Sequence, residues 1–468
     1  MKKQDFINVG VVEEYIPKAI EAVKSAGKAG RLKGIKARKL VKDITTEPQL
    51  FVNDEHFGEL ARLLLQPKEE FVAPDPINFS RWGFDIDEQS IKQMETACRV
   101  PVASAAALMP DAHLGYGLPI GGVLATYNSV IPYAVGVDIA CRMKLTVIDT
   151  PVKELEKELR GGFRRGDRLS ESITSGTRFG VGAEWKPRCN HAVMDKDWNV
   201  SPVTKAMKDR AWTQLGTSGS GNHFVEIGVL TLTSPDMNLT TGTYLAILSH
   251  SGSRGAGANV CNYYKDIAIQ KLDKSYKEYF KNLAWLSLDS DAGQEYWAAM
   301  NLMGEYASAN HAVIHDNIVS ILGAEVLATV ENHHNFAWRE IHNGKELIVH
   351  RKGATPAGEG ILGIIPGSMA DPCFVIRGKG KAESLNSASH GAGRRMSRNE
   401  ARKKFNWNDW KSILKQRGVR LLSAGLDEVP GAYKDINAVM AAQSDLVDII
   451  ARFDPRIVKM SDDGRSED

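Results

Sequence analysis

Apolar positions along the chain recur in two rhythms. Short runs rich in β-branched residues, each bounded by glycine turns, predict strands at GVLATYN (122–128), RMKLTVID (142–149), FVEIGVLTL (224–232), TYLAILS (243–249), ELIVH (346–350) and CFVIRG (373–378). Longer stretches with helical spacing fall at about 258–285, 294–322 and 435–452, and DEQSIKQMETAC (87–98) opens on a capping aspartate. Strands and helices alternate without a regular βαβ period, so the fold class is α+β rather than a doubly wound sheet. Residues 1–80 read as a helical extension, amphipathic around Phe57 to Leu65, with a basic series from Lys24 to Lys42. That series suits either a solvated helix face or a surface meeting RNA or another subunit. No repeat or linker interrupts residues 81–468, which predicts one large mixed domain there.

Composition narrows the class without naming it. Of 468 residues 43% are apolar and 25% charged, and the formal net charge is +2, so a nucleic-acid partner must be met by local basic patches. No apolar run reaches the roughly 18 residues of a membrane span, no signal peptide is evident, and five scattered cysteines do not form a disulfide framework. A cytoplasmic protein with no membrane partner is expected. The 42 glycines cluster near 115–122, 216–221, 252–257, 353–367 and 391–393, where the backbone must turn tightly or approach a ligand.

Chemistry gathers beside those clusters. Nine of the twelve histidines lie between His223 and His390. TYLAILSHSGSRG ends a strand on His250 and enters a glycine turn, whereas GSGNHFVEIG reverses the order, turn first, then Asn222, His223 and Glu226. GVDIACRM sets Asp138 three residues before Cys141, and Cys, His and carboxylate together suit a divalent transition metal. Each alone is equally an ordinary buried residue. With His333 and His334 of ENHHN added, they outnumber the ligands of one structural zinc and lack CxxC spacing, which points to an open catalytic site with room for two metals. VHRKGATPAGEG and IIPGSM are glycine-bearing loops suited to phosphate or a nucleobase, yet neither a Walker loop nor GxGxxG is present. In SASHGAGRRMSRNEARKKF, His390 stands among small residues ahead of Arg394, Arg395 and Arg398, and Ser397 with Glu400 forms a capping box. Such a histidine serves either as a nucleophile toward phosphorus or as a donor in a phosphate-binding loop.

Seven segments occur in an order that resembles the RtcB family of GTP-dependent RNA ligases: MPDAHLGYGLPIGG, GVDIACRM, GSGNHFVEIG, HSGSRG, HHNFAWRE, VHRKGAT with IIPGSM, and SHGAGRRMSR. The resemblance runs from about residue 82 to about 460. It implies manganese, two ions in all, with GTP as energy source, and His390 as the residue that takes GMP, with Asp111 as a carboxylate needed at that step. Metal ligands carry over to Asp138, Cys141, His223, His250 and His334. Guanylate contacts carry over to Asn222, His223, Glu226, His334, Asn335, Pro366, Gly367, Ser368, Met369, Cys373, His390, Gly391, Ala392, Gly393 and Lys459. The implied partner is RNA with a 3′-phosphate or 2′,3′-cyclic phosphate end and a 5′-hydroxyl end, in tRNA splicing or RNA repair, with an activating protein as a further partner. Ligand softness alone favours zinc at a Cys and His site, so manganese follows from the resemblance only. Departures are Ala140 and Arg142, flanking Cys141 where the family has glycines; Cys373, where a small residue is usual; Lys459-Met460 in place of a terminal Lys-Gly; and the 80 added residues. Two other readings use the same residues. A metal-dependent phosphodiesterase or phosphatase would not need His390 as a covalent carrier, and a non-catalytic RNA-binding relative would leave the site idle.

Overall fold

The computed structural model describes residues 1–32, 35–66, 71–161, 164 and 166–462. Contacts divide the chain into two compact units, Met1–Val72 and Ala73–Asp468. The first contains helices α1 (Lys3–Asn8), α2 (Ile16–Lys28), α3 (Ile35–Thr46) and α4 (Gly58–Leu65). Its core is its own: Phe6, Ile16, Ala19, Ala26, Val41, Ile44, Phe57 and Leu60 are buried together. In α3 the spacing of Val41 and Ile44 turns one face inward and leaves the basic residues on the others. The division falls at 72/73 and not near 80, because the segment after it is already tied to the second unit. Ile77 N–H donates to the Cys98 carbonyl, and Ser80–Arg81 pairs with a strand of that unit.

In the second unit, β1 (Ser80–Arg81) precedes helix α5 (Glu88–Ala97), whose N-terminus is capped by Asp87 accepting from Ser90 N. The strands that follow are β2 (Ala103–His113), β3 (Ile120–Thr126), β4 (Arg142–Ile148), β5 (Phe224–Leu232) and β6 (Gly242–Ser251). Helices α6 (Arg254–Lys271) and α7 (Asp291–Leu322) intervene. Then come β7 (Val326–His333), β8 (Asn335–His342), β9 (Lys345–Lys352), β10 (Leu362–Ile365), β11 (Cys373–Gly378), β12 (Arg420–Ser423) and β13 (Val447–Met460). A five-stranded sheet has the order β1-β2-β3-β9-β8, and a larger one the order β7-β4-β6-β5-β13-β11-β10 with β12 beside β13. Within these two sheets the pairings are antiparallel except β1–β2 and β12–β13. The fold is α+β, as its sequence pattern implies.

Both faces of the large sheet are buried along β6, which explains why that strand reads as a nearly continuous apolar run. Leu245 and Ile247 pack with Ile314 and Ile318 of α7, while Ala246 and Leu248 share the other face with Met143, Val330 and Phe453 of the same sheet. The helical pattern at 258–285 resolves into α6 and a second helix, Lys274–Phe280. The one at 435–452 is overturned: a short helix, Ile436–Ala441, gives way to β13. There Ala451 and Phe453 face one side of the sheet and β13 fills the gap between β5 and β11, so strand pairing overrides a helix-compatible sequence. No helix among the described residues is long and apolar enough to cross a membrane.

Candidate active site

Four metal-type side chains stand at the same end of four neighbouring strands. His334 follows β7, Cys141 precedes β4, His250 lies at the end of β6, and His223 precedes β5, and these strands are adjacent in exactly that order. Antiparallel pairing puts the end of one strand beside the start of the next, so the reversed order of turn and histidine in the two glycine motifs is what brings His223 and His250 together. His334 is also the single residue between β7 of the large sheet and β8 of the small one. Its N–H donates to the Cys141 carbonyl at 3.0 Å, and Ala140 N–H donates to the Asn335 carbonyl at 2.7 Å.

The side chains converge. Cys141 Sγ lies 3.4 Å from His223 Nε2 and 3.1 Å from His250 Nε2, His250 Nε2 lies 3.2 Å from His334 Nε2, and His223 Nε2 lies 3.1 Å from Asp138 Oδ2. Burial holds the His250 and His334 rings well below the usual histidine range, hence neutral. Burial raises Asp138, but the hydrogen bond and charge of His223 outweigh it and hold its carboxyl at about 2. The neutral His250 and His334 rings, the Asp138 carboxylate, His223 and the Cys141 thiol are aimed at one another, and Cys141, His223 and His250 are spaced to hold a metal ion. The residues fit the group. Outer contacts fix the donors: His250 Nδ1 meets the Asn222 carbonyl at 3.1 Å, Asp138 Oδ1 accepts from Ser253 N at 3.1 Å, and a Cβ on Gly252 would sit 2.1 Å from that oxygen.

Sequence reasoning missed the layer behind. Buried Arg254, at φ +54°, places Nη1 3.2 Å from His223 Nδ1. On α7, Asn310 accepts from Gly216 N and Thr217 N and donates to the Thr217 carbonyl and Ser251 Oγ, pinning the turn before His223 to the strand of His250. Ser249 Oγ lies 2.6 Å from His311 Nδ1 and 2.7 Å from His315 Nε2. The Arg of HSGSRG and the i, i+4 histidines of α7 were the available signals.

Beyond His334, the His390 ring lies with its centroid 4.9 Å away. Asp111, fully buried in β2, places Oδ2 2.7 Å from His390 Nδ1 and also accepts from His390 N at 3.1 Å and Gly391 N at 3.4 Å. A carboxylate only accepts, so Nδ1 carries the proton, and in the neutral ring the lone pair is on Nε2. No described group bonds to Nε2. Gly393, at φ +74°, lets the loop lie flat on this strand, since a Cβ there would meet the Asp111 carbonyl oxygen at 2.1 Å.

His390 opens into a cavity of about 850 Å³. Of the expected guanylate residues, Asn222, Glu226, Pro366, Gly367, Ser368, Met369, Cys373, Gly391, Ala392 and Gly393 line it, as does His250. Burial raises the Glu226 carboxyl well above its usual range and does the same to the neighbouring Cys373 thiol. Of the other expected guanylate residues, His223 and His334 stand in the donor cluster, and neither they nor Asn335 and Lys459 line the cavity. Asn335 is a backbone staple, donating to the Asp138 carbonyl and accepting from Gly353 N. His333 turns away from the donors and stacks on Trp338 at 4.9 Å. Lys459 lies across β13 from Val458 and Met460, because side chains alternate along a strand; those two line the cavity, while Lys459 Nζ donates to Ser423 Oγ in a separate recess.

Residues 93–460 match the family described as tRNA-splicing ligase RtcB. The chain belongs to the RtcB family. It is 33% identical to the RNA-splicing ligase RtcB of Escherichia coli K12 over 80% of this chain and 95% of that one. It is 32% identical to the tRNA-splicing ligase RtcB of Archaeoglobus fulgidus over 78% and 88%. The RNA-splicing ligase RtcB homolog 2 of Entamoeba dispar is 28% identical over 97% of this chain and 95% of its own length. Within this RtcB chain the departures beside Cys141 have plain accounts. Ala140 adopts φ +56°, a conformation glycine takes without strain. Arg142 neither crowds the metal loop nor reaches for phosphate: it is buried, ion-paired with Glu331, and donates to the Gly304 carbonyl at 3.0 Å.

Proposed function

We propose that the protein is a GTP- and manganese-dependent RNA ligase that joins 3′-phosphate or 2′,3′-cyclic phosphate ends to 5′-hydroxyl ends through a guanylate carried on His390. The observation that carries this reading is the Asp111–His390 pair, a buried carboxylate fixing one ring nitrogen so that the other is a nucleophile facing the cavity. Nε2 attacks the α-phosphorus of GTP, an N–P bond forms, and the P–O bond to pyrophosphate breaks. An oxygen of the RNA 3′-phosphate then attacks the same phosphorus, the N–P bond breaks, and the RNA end becomes a diphosphate with GMP as its leaving group. The 5′-hydroxyl attacks the terminal RNA phosphorus, sealing the strand and releasing GMP; a cyclic phosphate is first opened by water.

Cys141 sits between two donor pairs, Asp138 with His223 and His250 with His334, and these five residues would hold the manganese. Manganese held there would supply Lewis-acid stabilisation of the phosphate oxygens. Asn222 and the loops 366–369 and 390–393 would cradle the guanylate, and Glu226 is suited to the N–H groups of a guanine edge. Asn335 and Lys459, which do not line the cavity, stand outside this set, and His223 and His334 are kept as metal donors. The test is incubation with α-labelled GTP and manganese: the wild type should retain an acid-labile label and His390→Ala none, whereas an unlabelled wild type that still cleaves phosphate esters would establish the phosphodiesterase reading instead.

A further inference from the structure

At the rim of the His390 cavity stands a phenylalanine with nothing covering it. Phe84 is 103% exposed, the most exposed large apolar side chain among the described residues, and still lines the cavity mouth. Its turn is held on every side. Trp82 N–H donates to the Leu108 carbonyl at 3.0 Å and Trp82 Nε1 to Asp445. Gly83, at φ +82°, lies flat on Pro110, where a Cβ would approach to 2.9 Å. Lys434 Nζ donates to the Asp85 carbonyl and to those of Pro110 and Ala112, the residues on either side of Asp111. The turn that carries the exposed ring is therefore fixed to the strand that orients His390.

Charge around the rim is divided. Asp85 and Asp87 adjoin Phe84 and repel phosphates, Glu88 beside them being paired with Lys92, whereas Arg395 is exposed on the same cavity and has no ion pair among the described residues. Its neighbours Arg394 and Arg398 are occupied by Glu428 and Asp427. An aromatic face among acids accepts an uncharged base, and a free guanidinium accepts a phosphate.

We propose that Phe84 stacks a base of the RNA strand whose end enters the cavity, with Arg395 holding a backbone phosphate of that strand. This rests on the ligase reading and adds how the substrate is gripped. Phe84→Ala should raise the KM for a single-stranded 3′-phosphate RNA in joining assays about tenfold, with Phe84→Trp restoring it. Labelling of His390 by GTP without RNA should be unchanged in Phe84→Ala, and its melting temperature also, since the ring buries nothing. In RNA-binding titrations Arg395→Gln should reduce the slope of log affinity against log salt by about 0.7, while Phe84→Ala weakens binding at constant slope. An unchanged RNA KM in Phe84→Ala overturns the stacking role while ligation stands. A raised KM for GTP in the labelling step makes Phe84 a nucleotide contact and overturns its assignment to RNA. A wild type that neither labels nor ligates overturns the ligase reading itself.

Discussion

Asp111 does its work through one oxygen. Oδ2 takes three N–H groups of the 390–391 turn, and Oδ1 is buried without a partner. Asp111→Asn would place an amide against those donors and let His390 hold its proton on Nε2, where it blocks attack. Guanylylation should fall about a thousandfold or more, as for other wrong-tautomer substitutions, with manganese affinity by calorimetry unchanged. The sequence motifs named both residues, but not the contact between them, which spans 279 positions. Nor could they show which way a side chain points. Arg142 next to a metal cysteine looks like a phosphate ligand until Glu331 is seen across the sheet, and Lys459 loses its place in the cavity to the alternation of β13.

At the scale of elements, β4 and β7 are joined by more than their ladder. Glu331 accepts from Lys144 at 3.0 Å and from Ser308 at 2.7 Å as well as pairing with Arg142. Burial raises its carboxyl, but Arg142 and Lys144 outweigh it and hold it at about 2, against an ordinary 4.5. That lowered value corresponds to about 3 kcal/mol. Because the folded pKa is depressed, this contribution is complete above pH 4.5 and is lost as pH falls toward 2. Glu331→Gln should therefore lower the urea midpoint most at neutral pH, with the gap to wild type closing as the pH is taken below 4.5; a constant gap would refute the assignment. The strands flanking this pair were unequally legible. RMKLTVID announces β4, whereas β2 reads ASAAALMPDAH, alanines that carry little strand preference and become a strand only through pairing with β3. The same holds for β13, whose pattern satisfied a helix until its neighbours claimed it.

For the whole molecule, two units with separate cores imply separable folding. Met1–Val72 buries its apolar residues among themselves, and the family match begins at residue 93. Residues 73–468 expressed alone should label with GTP at the rate of the full chain; an insoluble or inactive product would show that the helical unit is needed for the fold of the larger one. The near-neutral net charge also acquires a local account. Basic side chains from Arg394 to Arg402 are largely spent on Asp427 and Glu428, which leaves few cations free at the cavity mouth.

The alternation of donors across β7, β4, β6 and β5 has a consequence for how the enzyme is made. Asp138, Cys141, His223 and His250 leave the ribosome within one stretch, and His334 follows 84 positions after His250. The set of five is complete only after β7, synthesised late, has paired back onto β4. A half-made chain can therefore bring together the Cys141, His223 and His250 trio before the His334 side of the site exists.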